Sequence, residues 1–326
     1  MSRSKIINKL DPSQPIYIGL DVHKNKWSVC IYHQDEIVEQ HTIPGEYTSL
    51  NKLLNKYQTM IRYSAYDAGF LGFYLHRYLE NDGIKNIVIS SHKIPSETGI
   101  HVPSEELVDL RQILRTRDKL MRTKRSIINR IKMLLHQFEI KFTSQSLTKE
   151  KIEEIKNYDL PENTKLSISI YLENLELIIK QASQLLNRVH SVALNSKYSD
   201  NYKILTTIPG VGPITGAMLC FEIGDFTRFS SSKKLASYIG ITPREFSSGE
   251  HVYRGRITGQ GNALLRSVLV EASWVLIGKD PKIRRFYDKV KINSGSGKKA
   301  IVAVGRKLIH IIHSIVLNNQ CYSIGE

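Results

Sequence analysis

Cysteine is scarce: three in 326 residues, Cys30, Cys220 and Cys321, far apart along the chain. So sparse and odd a count excludes a disulfide framework and a cysteine-built zinc site. No uninterrupted apolar run approaches the ~18 residues of a membrane span. The opening stretch, MSRSKIINKLDPSQP, lacks the apolar core of a signal peptide. Acids are also in short supply: 31 Asp and Glu face 46 Lys and Arg, a net charge of +15. That excess calls for a polyanionic partner, nucleic acid first, with a high-pI enzyme as the bland alternative. Hydrophobic residues at 41% and charged residues at 24% suffice for buried cores and exclude wholesale disorder. At roughly 100–200 residues per domain, the length suits two or three domains. The expectation is a basic, multi-domain, cytoplasmic protein without a membrane segment.

Residues 1–15 read as a flexible lead. IYIGLDVHKNKWSVCIY alternates apolar and polar residues around a short turn, which predicts two strands, and EIVEQHTIP predicts a third. Then follow a helix in YTSLNKLLNKY, a strand in RYSAYDAG, a helix in FLGFYLHRYLENDG closed by Gly83, and a strand in NIVISSHKIP. A meander that passes into alternating strands and helices makes an α/β domain over 16–102. After Pro103 the pattern changes. SEELVDLRQILRTRDKLMRTKRSIINRIKMLLHQF keeps a helical apolar period without glycine or proline, and Ser104 before acids is a suitable N-cap. LSISIYLENLELIIKQASQLLNRVHSVALN gives a second long helix. The two predict an antiparallel hairpin, a coiled-coil arm over 103–200. Residues 201–326 read as a mainly helical domain with glycine-rich turns.

Five features carry chemistry. Asp21 stands at the end of one predicted strand and Asp67 at the end of another. RNase H-like folds hold Mg²⁺ on carboxylates gathered from such positions, although turn aspartates look the same in sequence. TIPGVGPITGAML spaces Gly210 and Gly212 before a helix, the helix-hairpin-helix pattern. Its backbone N–H groups and helix dipole favour a DNA phosphate, and a plain structural turn is the alternative. REFSSGEHVYRGRITGQGNALLR joins Ser247 and Ser248 to Arg244, Arg254, Arg256 and Arg266. A serine attacking a phosphodiester needs such cations, but by spacing alone this is a basic Gly/Ser loop that grips phosphates. Finally, the first long helix carries Arg115, Arg122, Arg125 and Lys132 among many cations, opposed beyond residue 110 by Asp118 alone. A merely solvated helix mixes signs, so this one is assigned to nucleic-acid backbone.

Together these segments resemble one family, the DEDD transposases of the insertion sequence one-ten type with its eleven-eleven branch, related to Piv invertases. The resemblance rests on GLDVHKNKWSVCI, YDAGFLGFYLHRYLE, GIHVPSEELVDLRQILRTRDKL, IPGVGPITGAML, FSSSKKLASYIGITPREFSSGEHVYRGRITGQGNALLR and KKAIVAVGRKLIHII, in the family's order. It implies a RuvC-like N-terminal domain that binds Mg²⁺, a coiled-coil arm for assembly, and a C-terminal domain whose serine links covalently to DNA. It further implies recombination directed by a structured non-coding guide RNA, in a homo-oligomer (dimer or tetramer) near the nucleoid. Asp21 falls on the first acid of the family. Asp67 stands at the second, usually a Glu, and Ser248 falls on the serine, with Ser247 its neighbour.

The family's third and fourth acids form an Asp-x-x-Asp pair. Here Ile94-Pro95 runs through SETG almost directly into GIHVPSEE, and no such pair is present. Glu105 and Asp109, one helical turn apart, are candidate replacements. Two readings therefore stay open. One is a recombinase that uses Ser248, Asp21 and Asp67. The other is a nucleic-acid-binding derivative that regulates or assembles without cutting. A junction binder working without RNA is a third.

Overall fold

The structure is a computed structural model that describes residues 11, 13–34, 36–67, 69, 71–89, 100–141, 147–248 and 251–324, with residues 149, 244–248 and 251–256 described by their backbone alone. It divides into two units, Met1–Pro103 and Ser104–Glu326.

The first unit holds β1 (Ile16–Val22), β2 (Lys26–His33), β3 (Glu36–Pro44), α1 (Tyr47–Leu54), β4 (Ile61–Asp67), α2 (Tyr74–Asn81) and β5 (Asn86–Ile89). Its five-stranded sheet has the order β3-β2-β1-β4-β5. Short turns make β1, β2 and β3 an antiparallel meander, while β4 lies parallel to β1 and β5 parallel to β4. The indole N–H of Trp27 donates to the His23 carbonyl at 3.0 Å and fastens the first turn. Alternation in β1 buries Ile16, Ile18, Leu20 and Val22. They form a core with Trp27, Val29 and Ile31 of β2 and the apolar stripes of α1 and α2, including Leu50, Leu54, Leu75 and Leu79. The predicted last strand ends at Ile89; residues 90–99 lie outside the described residues.

The second unit opens with α3 (Glu105–His136), α4 (Lys149–Lys156) and α5 (Glu162–Asn195). Ser104 caps α3 by accepting from the Leu107 N–H at 3.3 Å. The start of α3 packs with the end of α5 through Leu107, Leu110, Leu114, Val189 and Ala193. Its end packs with the start of α5 through Ile127, Ile131, Leu135, Ile168 and Leu172, so the pair is antiparallel. Then come α6 (Ser199–Leu205), α7 (Pro213–Ile223), α8 (Ser232–Ile239), β6 (Pro243–Ser248), β7 (His251–Ile257), α9 (Ala263–Lys279), α10 (Pro281–Ser294) and α11 (Gly297–Leu317). By length and composition α11 could cross a membrane, but half of that span is buried, with Val304, Leu308 and Ile312 in the core beside α8 and α9. One expectation is corrected here. The segment read as a Gly/Ser loop is a β-hairpin, in which Phe246 pairs with Tyr253 and Ser247 with Val252. Its aromatic and β-branched residues favour extended backbone, which the glycine and serine content had outweighed in the sequence.

Candidate functional site

Leu20 pairs with Tyr66 in parallel register, so the next residues outward on the two strands are Asp21 and Asp67. Leu20 and Tyr66 are buried, and strand alternation therefore puts both aspartates on the opposite, exposed face. Gly19 and Ala65 precede them on that face, where the Tyr32 ring edge comes within 3.4 Å of the place of a Gly19 Cβ. The Asp21 carboxylate lies 3.4 Å from the His23 ring nitrogen. Among the described residues no group of three or more His, Cys, Asp or Glu is placed to share a metal ion. Two exposed carboxylates fit one Mg²⁺, which keeps most of its waters and takes phosphate oxygens as further ligands. They do not fit a pair of ions.

Glu105 and Asp109 lie in the second unit, exposed at the start of α3. Between them Glu106 pairs with Lys197 at 2.6 Å. Acids in a first turn are favoured by the helix dipole, which accounts for this cluster without a metal.

Ser248 is the last residue of β6 and pairs in register with His251, the first of β7, so the serine stands at the tip of the hairpin. Ser247 lies one step inward. Arg244 belongs to β6, and Arg254 and Arg256 belong to β7. Gly249 lies outside the described residues. The base of the hairpin is tightly anchored. Gly240, at φ +81°, ends α8 so close to Gln260 that a Cβ would sit 1.7 Å from its carbonyl oxygen. The Thr258 N–H donates to the Thr242 carbonyl at 2.8 Å. Arg266, assigned from sequence to nucleic acid, donates through Nη1 to the Ile239 carbonyl at 2.8 Å, so it ties α9 to the end of α8.

The two glycines before α7 have different tasks. Gly210 has φ +92°, and a Cβ there would lie 2.6 Å from the Ala272 carbonyl oxygen, so this turn rests directly on α9. Gly212 is the exposed N-cap of α7, with nothing within 4 Å of its would-be Cβ.

The basic helix α3 is divided in its duties. Arg115 donates through Nε and Nη2 to the two carboxylate oxygens of Glu222, both at 3.2 Å. Arg111 donates to the Phe221 and Glu222 carbonyls at 2.8 and 2.9 Å. Burial holds its guanidinium below the ordinary value, with Glu222 opposing. Arg122 pairs with Asp118 at 2.8 Å. Arg125 is exposed and Lys132 half-buried. Sequence reading missed Glu222, a buried acid in the otherwise apolar run AMLCFEI. A lone acid in such a run demands a cationic partner, and that was the available signal.

Residues 202–288, the stretch that holds both glycines, the hairpin and α9, match the Transposase IS116/IS110/IS902 family model. A protein of Sinorhizobium fredii named as transposase y4rJ is 24% identical over 90% of this chain and 90% of its own. The chain is similar to the IS110/IS1111-type transposases. The transposase for insertion sequence element IS1111A of Coxiella burnetii is 25% identical over 68% of this chain and 62% of its own. The pilin gene-inverting protein of Moraxella lacunata is 36% identical over 37% of this chain, a match spanning 38% of that relative's length. The family match thus falls on the unit that carries Ser248, not on the unit that carries Asp21 and Asp67.

Proposed function

We propose that this chain is an insertion-sequence transposase, a site-specific recombinase that cuts and rejoins DNA through the Ser248 hydroxyl. The observation that carries this reading is the hairpin. A serine at the tip of a β-ribbon, on an anchored base and flanked in sequence by Arg244, Arg254 and Arg256, lies within the stretch matched to the transposase family. Oγ of Ser248 adds to phosphorus and loses its proton to solvent, the bond to one DNA oxygen breaks, and that oxygen leaves as a protonated hydroxyl. The arginines offset the charge that develops on the phosphoryl oxygens. The reverse reaction rejoins strands.

Asp21 and Asp67 would hold one Mg²⁺, which would supply polarisation of a phosphoryl oxygen. The sheet order β3-β2-β1-β4-β5, with its antiparallel meander and parallel continuation, supports the RuvC-like reading of this domain. Gly212, at the exposed start of α7, is the backbone donor site of the helix-hairpin-helix reading, and Arg125 and Lys132 offer cations to nucleic acid. A structured guide RNA and assembly as a dimer or tetramer complete the proposal.

A second reading has its own support. The described residues supply two strand-end carboxylates and no larger acidic cluster, which favours a binding derivative without strand cleavage. A recombination assay separates the two. The protein is combined with the RNA transcribed beside its gene, joined element ends, target DNA and Mg²⁺. The transposase reading expects strand exchange by the wild type and none by Ser248→Ala. Binding by both proteins without exchange by either establishes the derivative.

A further inference from the structure

The seam of α3 that faces α5 advances by steps of three and four residues, from Leu110 and Leu114 through Arg117, Met121 and Lys124 to Ile128. Such spacing keeps one stripe of a helix against its partner, and the stripe is normally apolar. Here it is broken by two cations. One apolar cluster of the helix pair ends at Leu114 and the next has its first buried member at Ile127. Between them lies an open-sided cavity of about 120 Å³. Arg117, Lys124 and Ser183 supply its polar groups, and Met121, Ala182 and Leu186 line its walls.

No carboxylate lines this cavity, and α5 contributes no charged residue to its wall. The acid nearest in sequence, Asp118, is taken by Arg122 at 2.8 Å. Arg117 Nε is buried and has no hydrogen-bond partner among the described residues. Burial also holds its guanidinium below the ordinary value, with only Asp118 opposing. A long cationic side chain at a helix seam can carry its head out to water. Arg117 leaves a donor behind instead, and a buried donor without a partner is destabilising. The volume admits several water-sized groups, and all three polar residues donate hydrogen bonds, two of them with positive charge. That donor set fits a tetrahedral oxyanion.

We infer that Arg117, Lys124 and Ser183 form a phosphate-binding notch between α3 and α5, occupied by a phosphodiester of bound nucleic acid. The polymer, rather than a free anion, is favoured by the +15 charge of the chain and by the exposed Arg125 beside the notch. The inference rests on the nucleic-acid-binding part of the proposed function and is indifferent to whether the protein cuts.

The test uses the full chain and the double variant Arg117→Met with Lys124→Met, which restores an apolar seam. Duplex DNA and the structured RNA are titrated separately at several salt concentrations, with Arg284→Gln as a control at an exposed cation. The double variant is expected to melt higher than wild type, yet to bind one of the two nucleic acids at least tenfold more weakly. Its salt dependence is expected to flatten by one phosphate contact, a slope change of about 0.9 for DNA and about 0.7 for a single strand. The responding nucleic acid identifies the source of the phosphodiester. Unchanged affinity and slope with both would overturn the notch and leave the cations as tolerated seam residues. If wild type binds neither, the nucleic-acid reading fails as a whole. A second measurement does not depend on the variant. Bound nucleic acid must slow acylation of Lys124 but not of Lys279, and equal rates at Lys124 with and without it overturn the notch.

Discussion

Both carboxylate oxygens of Glu222 on α7 accept a hydrogen bond from Arg115 on α3, each at 3.2 Å. Asn262 Nδ2 adds a third at 2.9 Å, while Asn262 Oδ1 caps α9 by accepting from the Leu264 and Leu265 N–H groups. One buried acid thus joins the first turns of the long helix to two helices of the C-terminal core. Glu222→Ala leaves Arg115 and Asn262 without their carboxylate acceptor and the buried Arg111 without the anion 3.7 Å from its Nε, and removing one partner of a buried ion pair costs about 3–5 kcal/mol. Urea denaturation is expected to report a loss of that order for Glu222→Ala, while Arg122→Ala, at an exposed pair, costs less than about 1 kcal/mol.

The two glycines before α7 are expected to respond oppositely to a methyl group. Gly210→Ala forces a side chain at φ +92° against the Ala272 carbonyl and the Val275 Cβ, 2.6 and 2.9 Å away. Strain at such a backbone costs on the order of 1–3 kcal/mol before the clash is counted. Gly212→Ala meets open space and loses only a better N-cap, below about 1 kcal/mol. Thermal melts of the two variants check the contrast.

Asp21→Asn and Asp67→Asn remove charge from an exposed strand end, where neither side chain supports the core. Both variants are expected to keep the melting temperature of wild type. Strand cleavage is expected to fall by two decades or more, since a metal at a phosphoryl group contributes several kcal/mol. A gel assay with Mg²⁺ titrated from zero tests this: each variant is expected to need more Mg²⁺ for its residual activity, and an unchanged Mg²⁺ requirement in both counts against the metal.

Ser232 Oγ and His310 Nδ1 are 2.6 Å apart. Burial first, then Arg306 and Lys233, holds the His310 imidazole below its ordinary value. The unfolded chain therefore takes up this proton first as pH falls. The contribution of His310 is present above the unfolded value, about 6.5, and lost as pH drops through the lower folded value. Melting temperatures from pH 8 to pH 5 are expected to fall less in His310→Gln than in wild type.

Much of this was legible in the sequence. The period-two runs predicted the meander; Asp67 is the last residue of β4, while Asp21 is the last but one of β1, which closes on the buried Val22. The long helices followed from their seams, although α5 begins at Glu162 rather than near Leu166, since polar first-turn residues carry no apolar signal. The hairpin of Ser248 was hidden, because Gly and Ser weigh toward a loop while pairing across a turn is non-local. The internal duties of Arg115 and Arg266 were hidden for the same reason. Their partners, Glu222 and the Ile239 carbonyl, are 107 and 27 residues away. Charge counted along a helix does not say which charges the fold consumes.

The apolar cluster beyond the cationic break has its own consequence for how the chain folds. Its members run only from Leu120 to Ile179 and none comes from α6 to α11. No contact in it spans more than 59 residues, so this end of the helix pair can assemble at lower entropic cost than the C-terminal core, whose members run from Leu107 to Val316. Cooperativity is then parcelled out along a single pair of helices: α4 and its neighbours open and close on their own free energy, apart from α7, α9 and α11.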